Sequence, residues 1–160
     1  MEQFGEFRTC ILEVFNNIQD HTVFDVGSVF AQWYPNEQRL QIAIADFGAG
    51  IPATVRRREP SLNDDEAIVR AFEDGFSAKS RPQNQGVGLH YLKQNVTENL
   101  GGRLTVRSLG GAIMFDRDGF SVPPVPCPAG GFCPGTLIDI EIRTDLIRFD
   151  EYVDGEFRWT

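Results

Sequence analysis

The sequence predicts a two-layer α/β (α+β) sandwich, with helices on one face of a mixed, mostly antiparallel sheet. Three observations lead there. Residues 7–20 carry apolar side chains at helical spacing. Short runs rich in β-branched and aromatic residues recur between turn residues and read as hairpin-connected strands. The chain has 160 residues, near the usual size of one domain, and 41% of them are hydrophobic, enough for a core. A single domain over residues 1–160 is the expectation.

Each element follows in order. FRTCILEVFNNIQD (7–20) places Phe7, Ile11, Val14, Phe15 and Ile18 on one helical stripe. VFDVGSVFAQWY (23–34) and RLQIAIA (39–45) read as strands joined at PNEQ, where proline and asparagine suit a hairpin turn. DFGAGIP (46–52) ends the second strand and leads into a charged stretch, TVRRREPSLNDD. DEAIVRAFEDG (65–75) reads as a helix with acids in its first turn and Gly75 at its end. The polar, glycine-bearing segment SAKSRPQNQGVG (77–88) precedes a helix from Leu89 that Gly101 and Gly102 close. RLTVRS, GAIMFDRDG and GTLIDIEIRT complete the sheet, and the Pro/Gly-rich stretch 121–134 between the last two is a loop.

Composition narrows the function. The formal charge is −8, without a dense basic stripe, so direct nucleic-acid binding is disfavoured by electrostatics. No apolar run approaches the roughly 20 residues that cross a bilayer, and the charged, aromatic start MEQFGEFRTC is no signal peptide. Three scattered cysteines make no disulfide framework, and Cys127 and Cys133 lack the partners that a zinc site needs. A cytoplasmic protein with free thiols, without membrane contact within this chain, is the expectation.

Four segments hold candidate chemistry. Glu13, Asn17 and His21 are four residues apart and share a helix face, with Asp20 beside them. A polar solvent face would look the same, but an amide oxygen there also suits a hydrated Mg²⁺ bound to nucleotide phosphates. Asp46 ends a strand and is followed by Gly48 and Gly50. That is a common turn, yet its carboxylate can accept an exocyclic amine while the glycines admit a flat ring. Gly86, Val87, Gly88 and Leu89 open a helix, where exposed N–H groups and the positive helix end suit an anion. Thr136 starts a strand, as β-branched residues often do, and its hydroxyl could join a water network beside an adenine.

In this order and spacing the four segments resemble the GHKL superfamily of ATP-binding domains, the Bergerat fold of histidine kinases, gyrase B, MutL and the large heat-shock chaperone. The N-box corresponds to Glu13, Asn17 and His21, the first glycine box to Asp46, Gly48 and Gly50, and the second to Gly86 and Gly88. GFSAKS (75–80) is similar to the stretch before the second glycine box. NLGGRLTVRS with GTLIDIEI resembles the strands that close histidine-kinase ATPase domains.

The resemblance implies ATP and Mg²⁺ as cofactors. Asp46 would bind the adenine amino group, with Gly50 and Ile51 supporting the pocket and Thr136 acting indirectly. Asn17 would hold Mg²⁺, and Gly86, Val87 and Gly88 would donate N–H groups to phosphate, with Leu89 following. Residues 76–85 would be the ATP lid, from which Lys79 or Arg81 could reach the phosphates. Glu13 matches the general base of gyrase-like relatives, although some kinases have glutamate there too. The expected activity is that of a histidine-kinase-type protein kinase, passing phosphoryl to a partner protein in signalling. The alternative is a non-kinase ATPase or ATP-dependent switch with Glu13 as base. A phosphoacceptor or regulated protein is the implied partner, and homo- or hetero-oligomers are open. Neither histidine, His21 or His90, sits on a phosphoacceptor helix, so a complete sensor kinase is not expected; a standalone domain or a piece of a longer chain is.

Overall fold

The computed structural model describes residues 27–76, 87–124 and 131–146. The helix expected over 7–20 lies outside the described residues. Within them, two strands, β1 (Gly27–Tyr34) and β2 (Arg39–Asp46), form the first hairpin. Its turn is a short 3-10 segment over Pro35–Glu37, closed by Gln38 in the left-handed region at φ 47°. A five-residue helix, α1 (Ile51–Val55), follows with proline in its first turn, then α2 (Asp64–Ala71) and α3 (Val87–Gln94). The chain then runs through β3 (Arg103–Leu109), β4 (Gly111–Asp116), β5 (Gly119–Ser121) and β6 (Cys133–Arg143). The sheet order is β1-β2-β6-β3-β4-β5, and every described pairing is antiparallel.

Two elements differ from the sequence reading. A short helix, α1, spans the end of DFGAGIP and the first residues beyond it, and GAIMFDRDG is a hairpin rather than one strand. Asp116 accepts the Asp118 N–H at 2.9 Å, which turns the chain between β4 and β5. The third helix passes into a π-helical turn over Asn95–Asn99 before Gly101 at φ +60° ends it.

Alternation along the strands sorts the two faces. Ile44 lies opposite Ile138, Val106 opposite Ile138 and Ile113, and Leu104 opposite Ile140 and Phe115. All are buried on the face that the helices cover, where Ala67, Ile68, Phe72, Leu92 and Val96 meet them. The Phe72 and Phe115 rings lie 4.9 Å apart. The opposite face is polar: Gln41 donates to both Asp139 oxygens at 3.1 and 3.2 Å, and Arg39 and Arg103 flank Glu141 at 3.6 and 3.7 Å. These are half-exposed pairs, worth at most about 1 kcal/mol each, so the core face carries the fold.

The start of α2 is fixed twice. Asn63 and Glu66 form a reciprocal cap, each side chain accepting the other's backbone N–H, at 2.9 and 2.8 Å. Asp64 and Asp65 then reach the β3–β4 turn: Asp64 accepts from Gly110 N–H and Asp65 from Ala112 N–H, both at 2.8 Å. Asp64 is also paired with Arg56, which follows α1. The helix therefore sits hard against the hairpin. A Cβ on Gly111 would come within 2.8 Å of the Asp64 carbonyl carbon and of Ile68 Cδ1.

That contact makes a prediction. Gly111→Ala should destabilise the domain by about 1–3 kcal/mol, the usual cost of forcing an extra carbon into packed structure. Urea unfolding measures it, and an unchanged midpoint would contradict the close seating of α2 on the hairpin.

Candidate functional site

The strand alternation that builds the core leaves three polar residues at the inward-facing phase. Asp46 follows Ile42 and Ile44 on β2, Thr136 precedes Ile138 and Ile140 on β6, and Ser108 follows Leu104 and Val106 on β3. In register, Asp46 is opposite Thr136, Thr136 opposite Ser108, and Ser108 opposite Gly111. The three polar side chains thus form one transverse row at one end of the sheet, on the helix-covered face.

Ser108 is fully buried and ties the row to the first glycine segment. Its Oγ accepts the Ile51 N–H at 3.0 Å and donates to the Gly135 carbonyl at 2.6 Å. It lies 3.3 Å from the Thr136 hydroxyl. A serine hydroxyl has one proton and two lone pairs. With its proton given to Gly135, it accepts from Ile51 and from Thr136, and its capacity is filled. The Thr136 oxygen keeps lone pairs for a ligand or a bridging water, and Thr136 is 7% exposed.

Asp46 is half-buried, and its Oδ1 accepts the Gly48 N–H at 2.7 Å. This two-residue loop orients the carboxylate at the strand end. Gly50 then begins α1 at φ +82°, and its carbonyl accepts from Thr54 Oγ1 at 3.1 Å. The crossing of β2 and β6 leaves no room for side chains. Gly135 is at φ +77°, and a Cβ there would lie 2.1 Å from the Asp46 carbonyl oxygen and 2.8 Å from Phe47 Cα. Only glycine meets both conditions.

The structure thus brings together Asp46, Gly48, Gly50, Ile51 and Thr136 from the sequence-expected set. Val87, Gly88 and Leu89 open α3, as expected, and Leu89 packs against the same apolar core as Ile51. His90, next along, is placed by an Nδ1 contact to the Phe72 carbonyl at 3.3 Å. Phe76, at the start of the expected lid, is buried with the Arg70 guanidinium 4.8 Å from its ring centre. Glu13, Asn17, Asp20, His21, Lys79 and Gly86 lie outside the described residues, as does the remainder of the expected lid.

Ser108 and Gly135 were not among the expected site residues. The signal for Ser108 was present: a hydroxyl in the inward phase of RLTVRS, where Leu104 and Val106 precede it. Gly135 was visible only as the residue before Thr136, because its close approach to Asp46 is a property of the pairing.

The donor set suits an adenine ring. A carboxylate acceptor stands at the strand end with a hydroxyl opposite it in register, and glycine backbone flanks both, which is the chemistry that an exocyclic amine and a flat heterocycle require. A family model described as histidine kinase-, DNA gyrase B-, and HSP90-like ATPase matches residues 5–123. No curated protein is found to match the chain. The family match takes in the segments of Glu13 and Asn17, of Asp46 to Gly50, and of Gly86 to Gly88, and covers well over half of the 160 residues. The chain belongs to the histidine kinase-, DNA gyrase B- and HSP90-like ATPase family and is an ATP-binding domain of the GHKL type.

Proposed function

We propose that this domain binds ATP with Mg²⁺ and passes the γ-phosphoryl group to a partner protein, in a signalling role in the cytoplasm. The observation that carries the nucleotide end is the register pair of Asp46 and Thr136, with Ser108 behind them. Asp46 reads the adenine amino group, while Thr136 holds a water on the same ring edge. Gly86, Val87 and Gly88 lend backbone N–H groups to the phosphates at the start of α3, and Lys79 reaches the same charge from the lid. Mg²⁺, held through Asn17, would neutralise phosphate charge as it develops. Positioning and electrostatics of this kind are the larger part of phosphoryl-transfer catalysis. The kinase reading is supported by the strand region NLGGRLTVRS with GTLIDIEI, which resembles the closing strands of histidine-kinase ATPase domains and supplies the paired strands β3 and β6 here.

A second reading rests on Glu13, four residues before Asn17. There Glu13 activates a water against the γ-phosphate, and ATP turnover switches an interaction with a partner.

Three measurements check these readings. Asp46→Asn removes a charge-assisted acceptor worth about 1.5–3 kcal/mol, so calorimetric affinity for adenine nucleotides should fall roughly tenfold or more; unchanged affinity would sink the site assignment. Ser108→Ala strands the Ile51 N–H and the Gly135 carbonyl. It should cost about 1–3 kcal/mol of stability in urea unfolding and weaken nucleotide binding as well. With labelled ATP and candidate partners, label on a protein supports phosphoryl transfer. Free phosphate alone, abolished by Glu13→Gln with ATP binding kept, supports the hydrolytic reading.

A further inference from the structure

Leu109 is a non-glycine residue in the left-handed region, at φ 55°. A Cβ makes that conformation costly, and a side-chain-bearing residue holds it only where its surroundings over-determine the backbone. Both neighbours of Leu109 supply the constraint. Ser108 is tied to Ile51, Gly135 and Thr136. On the other side, the Gly110 N–H donates to Asp64 Oδ2 at 2.8 Å. The pairing of β3 with β6 shifts register between Ser108 and Leu109, so these side-chain bonds rather than a regular ladder place the turn.

Leu109 in turn bears on the first glycine segment. A Cβ built on Gly50 would come 3.0 Å from Leu109 Cγ and 2.9 Å from Ser108 Oγ, so both side chains back directly onto that residue. Gly50 opens α1 and Arg56 closes it, with the Arg56 N–H bonded to the Pro52 carbonyl at 3.0 Å. The Arg56 guanidinium pairs with the other oxygen of Asp64, Oδ1. One carboxylate, on the first residue of α2, thus reaches the glycine segment by two routes. Through Gly110 and Leu109 it fixes what stands behind Gly50. Through Arg56 it fixes the far end of the five-residue helix that Gly50 begins. The carboxylate is itself anchored, because Asn63 and Glu66 cap α2 reciprocally and Asp65 accepts the Ala112 N–H at 2.8 Å.

We propose that Asp64 is a positioning residue for base recognition. It holds Gly50 and Ile51, by way of Gly110 and Leu109 and by way of Arg56, where the Asp46 carboxylate can meet the edge of an adenine. The inference rests on the reading of Asp46 as the acceptor for the adenine amine. Such a bond needs the carboxylate and the glycine backbone at a fixed separation, since hydrogen bonds weaken steeply with misalignment. The phosphates are held elsewhere on the proposed reading, at the start of α3. Loosening the Asp64 clamp therefore weakens selection of the base more than the hold on the phosphates.

Inosine triphosphate tests this. It shares the sugar and phosphates of ATP and carries a carbonyl, an acceptor, where adenine carries the amine. Calorimetry on the full chain gives the ratio of the ATP and inosine triphosphate affinities. Asp64→Ala should lower that ratio several-fold, and Arg56→Gln, which cuts one route, should lower it by a smaller factor. A merely structural residue would weaken both nucleotides alike and leave the ratio unchanged. An unchanged ratio in Asp64→Ala overturns the proposal. The Arg56 side chain is 33% exposed, so where Asp64→Ala does not fold, an unchanged ratio in Arg56→Gln overturns it instead. Asp46→Asn separates the two possible failures. If it lowers the ratio while the clamp variants do not, the proposal falls and the adenine reading stands. If it too leaves the ratio unchanged, the adenine reading fails and the proposal fails with it.

Discussion

The arrangement of the site depends on the register of β6 between β2 and β3. β6 is the central strand that both neighbours share, and its alternation is in phase with each. The same phase that turns Ile138, Ile140 and Ile142 into the core turns Thr136 toward Asp46 on one side and Ser108 on the other. A slip of one residue would reverse every one of these side chains. The hydrophobic burial along the strands therefore positions the polar row at their end. Many kilocalories of apolar packing hold a hydrogen-bonding geometry worth far less by itself.

The apolar core stops where the polar row begins, and the ladder changes there too. β3 loses regular register with β6 between Ser108 and Leu109, and Leu109 takes φ 55°. Beyond that point, hydrogen bonds rather than packing fix the chain. Ser108 holds the start of α1, Asp64 and Asp65 hold the β3–β4 turn, and Arg56 links the first to the second. These polar ties bind the glycine segment, the hairpin and the α2 terminus into one frame around the strand ends.

Much of this was legible in the sequence. The β1–β2 hairpin, the strand cores, and the placement of Asp46 and Thr136 at strand ends follow from alternation and turn residues. The helix α2 follows from its acidic first turn, whereas the cap that Asn63 forms with Glu66 was not read from the sequence. α1 was not legible, because five residues are too few to show a helical period and its Ile-Pro start also reads as a turn. The β4–β5 turn lay inside DRDG, where Asp116 could have been read as the turn's acceptor. Ser108 was missed because an isolated strand does not reveal which backbone groups will lie across from its hydroxyl; Ile51 lies far before it in the sequence and Gly135 well after it. The N-box and second glycine box were legible as spacing, and the family match runs through both.

The tightness of the β2–β6 crossing also bears on how this domain can vary. A Cβ at position 50 would meet Ser108 Oγ at 2.9 Å and the Gly135 oxygen at 3.1 Å, and one at position 135 would meet Asp46. By contrast, a Cβ on Gly75 or Gly119 would touch nothing within 4 Å. Positions 50, 108 and 135 are thus a single unit of variation. Mutational drift can reshape the surface glycines one at a time, but it can alter this corner only by changing three residues, distant in sequence, in concert.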